Sequence, residues 1–419
     1  MLAAGLASFL TVHIVRRAYA QWCLRHPSRS SLEKSISVDP GECEGYFTLA
    51  VYNLLSIDYA NPSRQAELFR QALRCQPLKS NYWLGLASFL QNTDGVEAAA
   101  VAAQRAAALS PYNSLALWRS GNFMLMAGKT DEAFEMFRRS LLGAPGFGSQ
   151  VFRTCWRASD DGEKILHQAV PDTVEMNLAY LGFLISPDAP RLDEAQKVWG
   201  RLLGLGQVFP VESTFGYFDA LLRGGRTSDA VNAWEGLVRA GVLPKEESRS
   251  ADNVVVNGGF EVEPVNGGLD WTINPVAGVA METDRGVQHG GAASLAIHFE
   301  GLNNLDFQQV SQRVIVTPGT DYSFRAFMKG RAISTRSGPH FEIFDPQDAQ
   351  EYRWQTPDIL GTSDWSEYSL KIHTGPKTQL LNVRLRREPA VELDKRIEGS
   401  LWVDDVRLTV EPQPPGPSR

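Results

Sequence analysis

Apolar positions change their rhythm once along this chain. Up to about residue 247 they fall at helical spacing and recur in blocks; after Val254 they alternate in short β-rich runs. The block 80–113 marks Trp83, Leu86, Ala87, Ala99 and Ala106 and closes on Pro111. The block 114–147 marks Leu117, Gly121, Ala133 and Phe137 and closes on Pro145. The block 46–79 keeps Phe69, Ala72 and Pro77, with a poorer first half. The closing prolines stand 34 residues apart (111 − 77; 145 − 111). A block of that length holds two antiparallel helices. Small residues let the two helices approach, large ones fill the groove between blocks, and proline stops the second helix. After Gly128, the run Lys129-Thr130-Asp131 predicts a tight turn, with Thr130 or Asp131 capping the next helix.

The pattern extends both ways. Residues 32–40 read as the end of an earlier second helix. Residues 192–203 and 227–238 read as two more second helices, with Ala195/Trp199 matching Ala230/Trp234 and with Tyr180 and Tyr217 on their first helices. Five or six pairs are expected, curving into a superhelix whose concave face receives a protein partner. Trp83, Trp118, Trp156, Trp199 and Trp234 are expected to pack between helices. Residue types and phase together resemble the tetratricopeptide repeat family over 46–147.

Residues 244–252 are polar and without an apolar period, which marks a boundary. Beyond it, strands are predicted at Leu295–Phe299, Val310–Val316, Tyr322–Phe327, His340–Phe344, Tyr368–Ile372, Leu380–Leu385 and Leu401–Leu408. Asn257-Gly258-Gly259-Phe260-Glu261 is followed by Asp270-Trp271, then Gly291–Leu295, then Gln312-Arg313-Val314 with Pro318-Gly319-Thr320-Asp321-Tyr322. The closing run is Trp402-Val403-Asp404-Asp405-Val406-Arg407-Leu408. In that order these segments resemble the carbohydrate-binding family 4/9 type of galactose-binding-like jelly roll. The expected fold class is therefore multidomain α + β: an N-terminal α-solenoid of tetratricopeptide-type helix pairs followed by an antiparallel β-sandwich. The expected boundaries are 1–24 for a signal anchor or first helix, 30–247 for the repeats, 248–252 for a linker, 253–412 for the jelly roll and 413–419 for a disordered tail.

The jelly-roll resemblance implies chemistry. In relatives, carboxylates at the positions of Glu261 and of Asp404 or Asp405 help hold a structural calcium, a hard ion that takes oxygen ligands. The plain alternative is a salt-bridged or capping role. Sugar binding needs an aromatic ring flanked by polar groups. Tyr352 and Trp354, with Arg353 and Gln355 beside them, are the candidates. Trp271, Trp365 and Trp402 are expected in the core. Gly258-Gly259 is expected to supply backbone angles that other residues avoid. Arg384, Arg386 and Arg387, with Asp394, Lys395 and Arg396 following, form either an ion-paired strand face or a patch for an anionic glycan or a partner.

Composition narrows the field. The 419 residues carry 41 basic and 48 acidic groups, a formal net charge of −7. An acidic surface does not suit general nucleic-acid binding, which displaces counterions with Lys and Arg. No HExxH, GxSxG, phosphate-loop or GxGxxG motif occurs, and the seven histidines show no metal spacing. The expectation is a non-enzyme. Four cysteines without a CxxC pair, Cys23, Cys43, Cys75 and Cys155, are expected as reduced thiols. Met1 to Val15 is almost wholly apolar and is followed by Arg16-Arg17. It reads as a signal anchor, a clipped signal peptide or an amphipathic first helix. The arginines favour a cytoplasmic body; a glycan-facing jelly roll favours export. The functional expectation is a non-catalytic adaptor of the bacterial envelope, membrane-anchored or periplasmic, whose repeats dock a protein and whose jelly roll binds a polysaccharide during exopolysaccharide or surface-glycan assembly. The alternatives are a protein–protein scaffold without sugar affinity and a glycan-active enzyme with an unrecognised site.

Overall fold

The computed structural model describes residues 2–56, 61–187, 190–250, 253–390 and 395–411, with side chains described from Leu10 onward. The expected tail 413–419, residues 251–252 of the expected linker, and Asp394 lie outside them. The chain divides into two compact units, Met1–Phe183 and Leu184–Arg419.

The first unit is helical. Its elements are α1 (Leu2–Arg25), α2 (Arg29–Val38), α3 (Cys43–Leu55), α4 (Pro62–Cys75), α5 (Ser80–Leu90), α6 (Val96–Leu109), α7 (Ser114–Met126), α8 (Thr130–Gly143), α9 (Gly148–Ala158), α10 (Gly162–Gln168) and α11 (Val174–Leu184). The three prolines of the 34-residue interval follow the ends of α4, α6 and α8, as the repeat predicts. Asn61 caps α4 through the Arg64 amide, with Pro62 in the first turn, and Asn113 caps α7 through the Ala116 amide. Gly121 is small for a physical reason: a Cβ there would lie 2.4 Å from the fully buried Phe137 ring. The predicted cap of α8 is corrected. Thr130 already lies inside the helix, the preceding residue is Lys129, and no side chain caps it.

The cysteine expectation is also corrected. Cys43 at the start of α3 and Cys75 at the end of α4 form a disulfide with Cα atoms 5.7 Å apart, while Cys23 and Cys155 are free and buried. Antiparallel pairing of the two helices brings those ends together, and cysteine spacing alone does not show it. Among the described residues, no helix is long and apolar enough to cross a membrane.

The second unit begins with α12 (Leu192–Gly204), α13 (Phe215–Arg223) and α14 (Thr227–Arg239), where Trp199, Tyr217, Phe218 and Trp234 are buried. Among the described residues ten strands follow: β1 (Thr272–Ile273), β2 (Val279–Asp284), β3 (Ser294–Glu300), β4 (Val310–Ile315), β5 (Asp321–Ile333), β6 (His340–Phe344), β7 (Arg353–Gln355), β8 (Gly361–His373), β9 (Leu380–Arg386) and β10 (Glu398–Val410). All seven predicted strands are present; β1, β2 and β7 were too short or too polar to predict. The strands form two antiparallel sheets, β1-β4-β9-β6-β7 (sheet A) and β2-β3-β10-β5-β8 (sheet B). Their inner faces share one apolar core that includes Phe260, Trp271, Phe324, Phe341, Leu381, Val383, Leu385 and Val403. This is the two-layer sandwich the alternation predicts.

Three core expectations divide. Trp271 is in the core, whereas Trp365 and Trp402 face outward on sheet B. Trp402 is nonetheless covered, with Nε1 donating to Asp284 at 2.8 Å and Arg331 above its ring. Gly258 also acts differently from expectation. The left-handed angles fall on Asn257 (φ 47°) and Phe260 (φ 52°), and a Cβ on Gly258 would lie 2.0 Å from the Val406 carbonyl oxygen.

Candidate functional site

Pleating gives sheet A an outward row that crosses four strands. In register, Arg353 of β7 stands beside Phe344 of β6, Phe344 beside Asn382 of β9, and Asn382 beside Arg313 of β4. At a strand spacing of about 4.8 Å the row spans roughly 14 Å. The next row carries Gln355, Glu342, Arg384 and Ser311. Phe344 is half-buried, and the Arg384 and Arg353 guanidinium groups lie 4.7 and 5.8 Å from its ring centre. Beneath them Glu342 accepts from Arg384 Nε at 2.6 Å and pairs with Arg353 at 3.4 Å. Arg384 also donates to Gln308 at 2.6 Å. These paired charges hold the polar groups of the face in fixed positions.

Helix α13 walls one side of this face. Asp219 accepts from Arg313 Nη1 at 2.7 Å, and Arg313 Nη2 donates to the Gly268 carbonyl at 3.0 Å. A cleft of about 600 Å³ opens there, lined by Asp219, Leu222, Arg223, Arg313, Gln347 and Leu380. An aromatic ring among amides and guanidinium groups, beside a cleft, is suited to a hydroxyl-rich ligand.

The predicted sugar-site residues are split by the pleat. Arg353 and Gln355 are exposed on the outward face. Trp354, between them, turns inward and packs against the sandwich core. Tyr352 is half-buried against Gly375, with its ring 6.3 Å from that of Trp354. Phe344, Glu342, Asn382 and Asp219 were missed. For the first three the signal is the alternation in HFEIF and LLNVRLR, which places polar groups and one aromatic on a common face; Asp219, on α13, has no such signal.

The arginine run also resolves. Arg387 is fully buried, donating to Ser337, Leu305 and Lys395 carbonyls and to Asn304. Arg386 pairs with Asp306 and with Glu388. Arg387 is structural, whereas Arg386 shares the outward side of β9 with Arg384 and Asn382.

The carboxylates of the calcium expectation do converge. β10 carries an irregularity between Asp404 and Arg407, with Asp405 at φ 49°, which re-aims both aspartates. Asp404 accepts from the amides of His289 (2.8 Å), Gly290 (3.0 Å) and Asp405 (2.6 Å). Glu261 accepts from the Ala292 amide with both oxygens, at 3.0 and 2.9 Å. Asp405 bonds His289 Nδ1 at 2.7 Å and Arg407 at 3.1 Å. Burial raises the Asp404 carboxyl while its three N–H bonds hold it down; Asp405 is lowered, because His289 and Arg407 outweigh its burial. Most of these carboxylate oxygens already face N–H donors of the 289–292 loop. Among the described residues no three metal-ligating side chains cluster. Together these bonds anchor the 289–292 loop.

No family model and no curated protein matches the chain. Solved structures do. The chain is similar to the enzymatically active domain of tailspike protein 4 of bacteriophage CBA120, at 16% identity and a TM-score of 0.29. That match covers 38% of this chain and only 21% of the tailspike chain. It is also similar to a family 16 carbohydrate-binding module, at 18% identity over 38% of this chain and 99% of the module, with a TM-score of 0.28. The match to PilF of Pseudomonas aeruginosa has 18% identity and a TM-score of 0.30, and covers 55% of this chain and 93% of PilF. At these scores the likenesses bear on neither ligand nor activity.

Proposed function

We propose that this chain is a non-catalytic binding protein of the bacterial envelope. Its sandwich holds a polysaccharide on the outward face of sheet A, and its helix pairs dock a protein partner during surface-glycan assembly. The observation that carries the reading is the row Arg353–Phe344–Asn382–Arg313, with Glu342 and Asp219 fixing its guanidinium groups. Stacking on Phe344 and hydrogen bonds from the row would grip a sugar chain without breaking it. Hydrolysis needs two carboxyls free to act across a cleft. The acids nearest the row, Glu342 and Asp219, are both tied to arginine. The Cys43–Cys75 bond supports an oxidising, exported location.

Affinity-gel retention of the full chain on a panel of polysaccharides tests this. Phe344→Ala is expected to weaken retention about tenfold, the scale of one stacked ring. Trp365→Ala, on the outward side of sheet B, is expected to leave it unchanged. Absence of retention on every polysaccharide, or equal loss from both variants, rules out the assigned face. Release of reducing ends from a retained polysaccharide would replace binding with hydrolysis.

A further inference from the structure

Where α14 meets the sandwich, two carboxyl side chains are sealed from water. Glu247, in the short turn after α14, is 0% exposed, and Asp270, just before β1, is 2% exposed. Helix and sandwich both build the seam. Trp234 of α14 donates its indole N–H to the Glu247 carbonyl at 2.8 Å, and its ring lies against Gly268. Glu235 accepts from Ser248 Oγ at 2.7 Å and the Arg249 amide at 2.8 Å. Arg249 reaches on to the Ile315 carbonyl at 2.7 Å and the Val254 carbonyl at 3.2 Å. Asp270 Oδ2 accepts from the Val265 amide at 2.6 Å.

The Glu247 and Asp270 carboxyls then face one another. Both Glu247 oxygens and Asp270 Oδ1 are buried without a donor among the described residues. A proton held between the two satisfies these oxygens together, whereas two facing carboxylates would leave them bare and repelling. Acidic groups dominate the surroundings. Glu246 is the other charge acting on Glu247, and Asp270 is faced by the Asn257 amide and by the Trp271 and Val265 amides. The nearby cations are engaged elsewhere: Arg249 with the carbonyls above, and Arg313 with Asp219 and the Gly268 carbonyl. Burial, reinforced by Asp270, raises Glu247 well above the ordinary carboxyl range; burial raises Asp270 too, against the pull of its amide bonds.

We propose that Glu247 and Asp270 form a pH-operated latch, one shared proton holding α14 to the sandwich and its loss releasing the helix. The Phe218 ring of α13 packs edge-on against Trp234 at 5.4 Å, so a released α14 loosens the helix that carries Asp219. The effect of the latch on glycan retention rests on the function proposed above; the latch itself does not. The sign follows from linkage. The folded state holds a proton that the unfolded chain gives up near pH 4.5, so the contribution is full below that pH and is lost as the pH rises through the raised range of the pair.

Urea unfolding of the full chain from pH 5 to 9, followed by tryptophan fluorescence, decides the matter. The ratio of folded to unfolded wild type is expected to fall at least tenfold over that range. Glu247→Gln keeps the shape and donates an N–H to Asp270, so most of the decline should vanish. Equal pH slopes in wild type and variant overturn the latch. If the variant does not fold, carboxyl carbon NMR of the wild type decides instead: a protonated Glu247 at pH 7 supports the latch, and two ionised carboxylates end it. Retention on polysaccharide is read separately. A pH-dependent loss in wild type that Glu247→Gln abolishes extends the latch to the groove. No retention at any pH counts against the glycan reading, while the unfolding slopes still judge the latch.

Discussion

The two units hold themselves together differently. In Met1–Phe183 each helix packs against near neighbours in sequence, and the key contacts repeat: a small residue under a ring, a proline after each second helix, one disulfide across a single pair. In Leu184–Arg419 the deciding contacts join distant residues, such as Asp219 with Arg313, and Arg387 with the 304–305 and 337 segments. Damage in the first unit should therefore stay local and follow the repeat. Damage in the second should spread through buried polar networks, because a lost partner leaves a desolvated group behind.

The largest test lies in the helical unit. Cys43→Ser together with Cys75→Ser opens a loop closed across 32 residues, and chain entropy puts the loss at about 3.5 kcal/mol. Urea denaturation under oxidising and reducing conditions measures it. Wild type under reductant should match the double variant; a loss well under 1 kcal/mol would mean the helix pair does not need its staple. Arg387→Ala in the sandwich should cost about 3 kcal/mol, since several buried acceptors lose their donor together. A surface-like change below 0.5 kcal/mol would erase the contrast between the units.

Trp354→Ala should lower stability by about 2 kcal/mol, because the ring is half-buried against the core. Thermal melts combined with polysaccharide retention would separate packing from ligand contact: retention by the folded fraction should not change. The smallest effect concerns metal. Because Glu261 and Asp404 already accept N–H bonds, adding calcium or chelator should move the melting temperature by less than about 1 °C. A rise of several degrees on adding calcium would show a bound ion and correct the description of this loop as self-anchored.

Much of this was legible from residue order alone. The 34-residue interval fixed the helix pairs because each pair solves the same local packing problem. The alternation in HFEIF and LLNVRLR placed Arg384 on one side and Leu385 on the other. Less legible was which side faces water. Trp354 looked like a sugar platform by residue type, yet its neighbours Arg353 and Gln355 take the outward positions, where Phe344 is the ring in register with Arg353. Composition likewise suggested that Arg387 was a surface charge, whereas the fold buries it entirely.

Sequence by itself determined the number and kind of elements: paired helices closed by prolines, then alternating strands separated by turns. Those follow from local sterics and from the 3.6- and 2-residue periods, which act within a few residues of one another. Tertiary structure alone decided which cysteines meet, which outward face gathers Phe344 and its polar partners, and that Glu247 confronts Asp270. Each of these depends on the through-space distance between separate elements, and periodicity along a strand or helix carries no information about what packs opposite it.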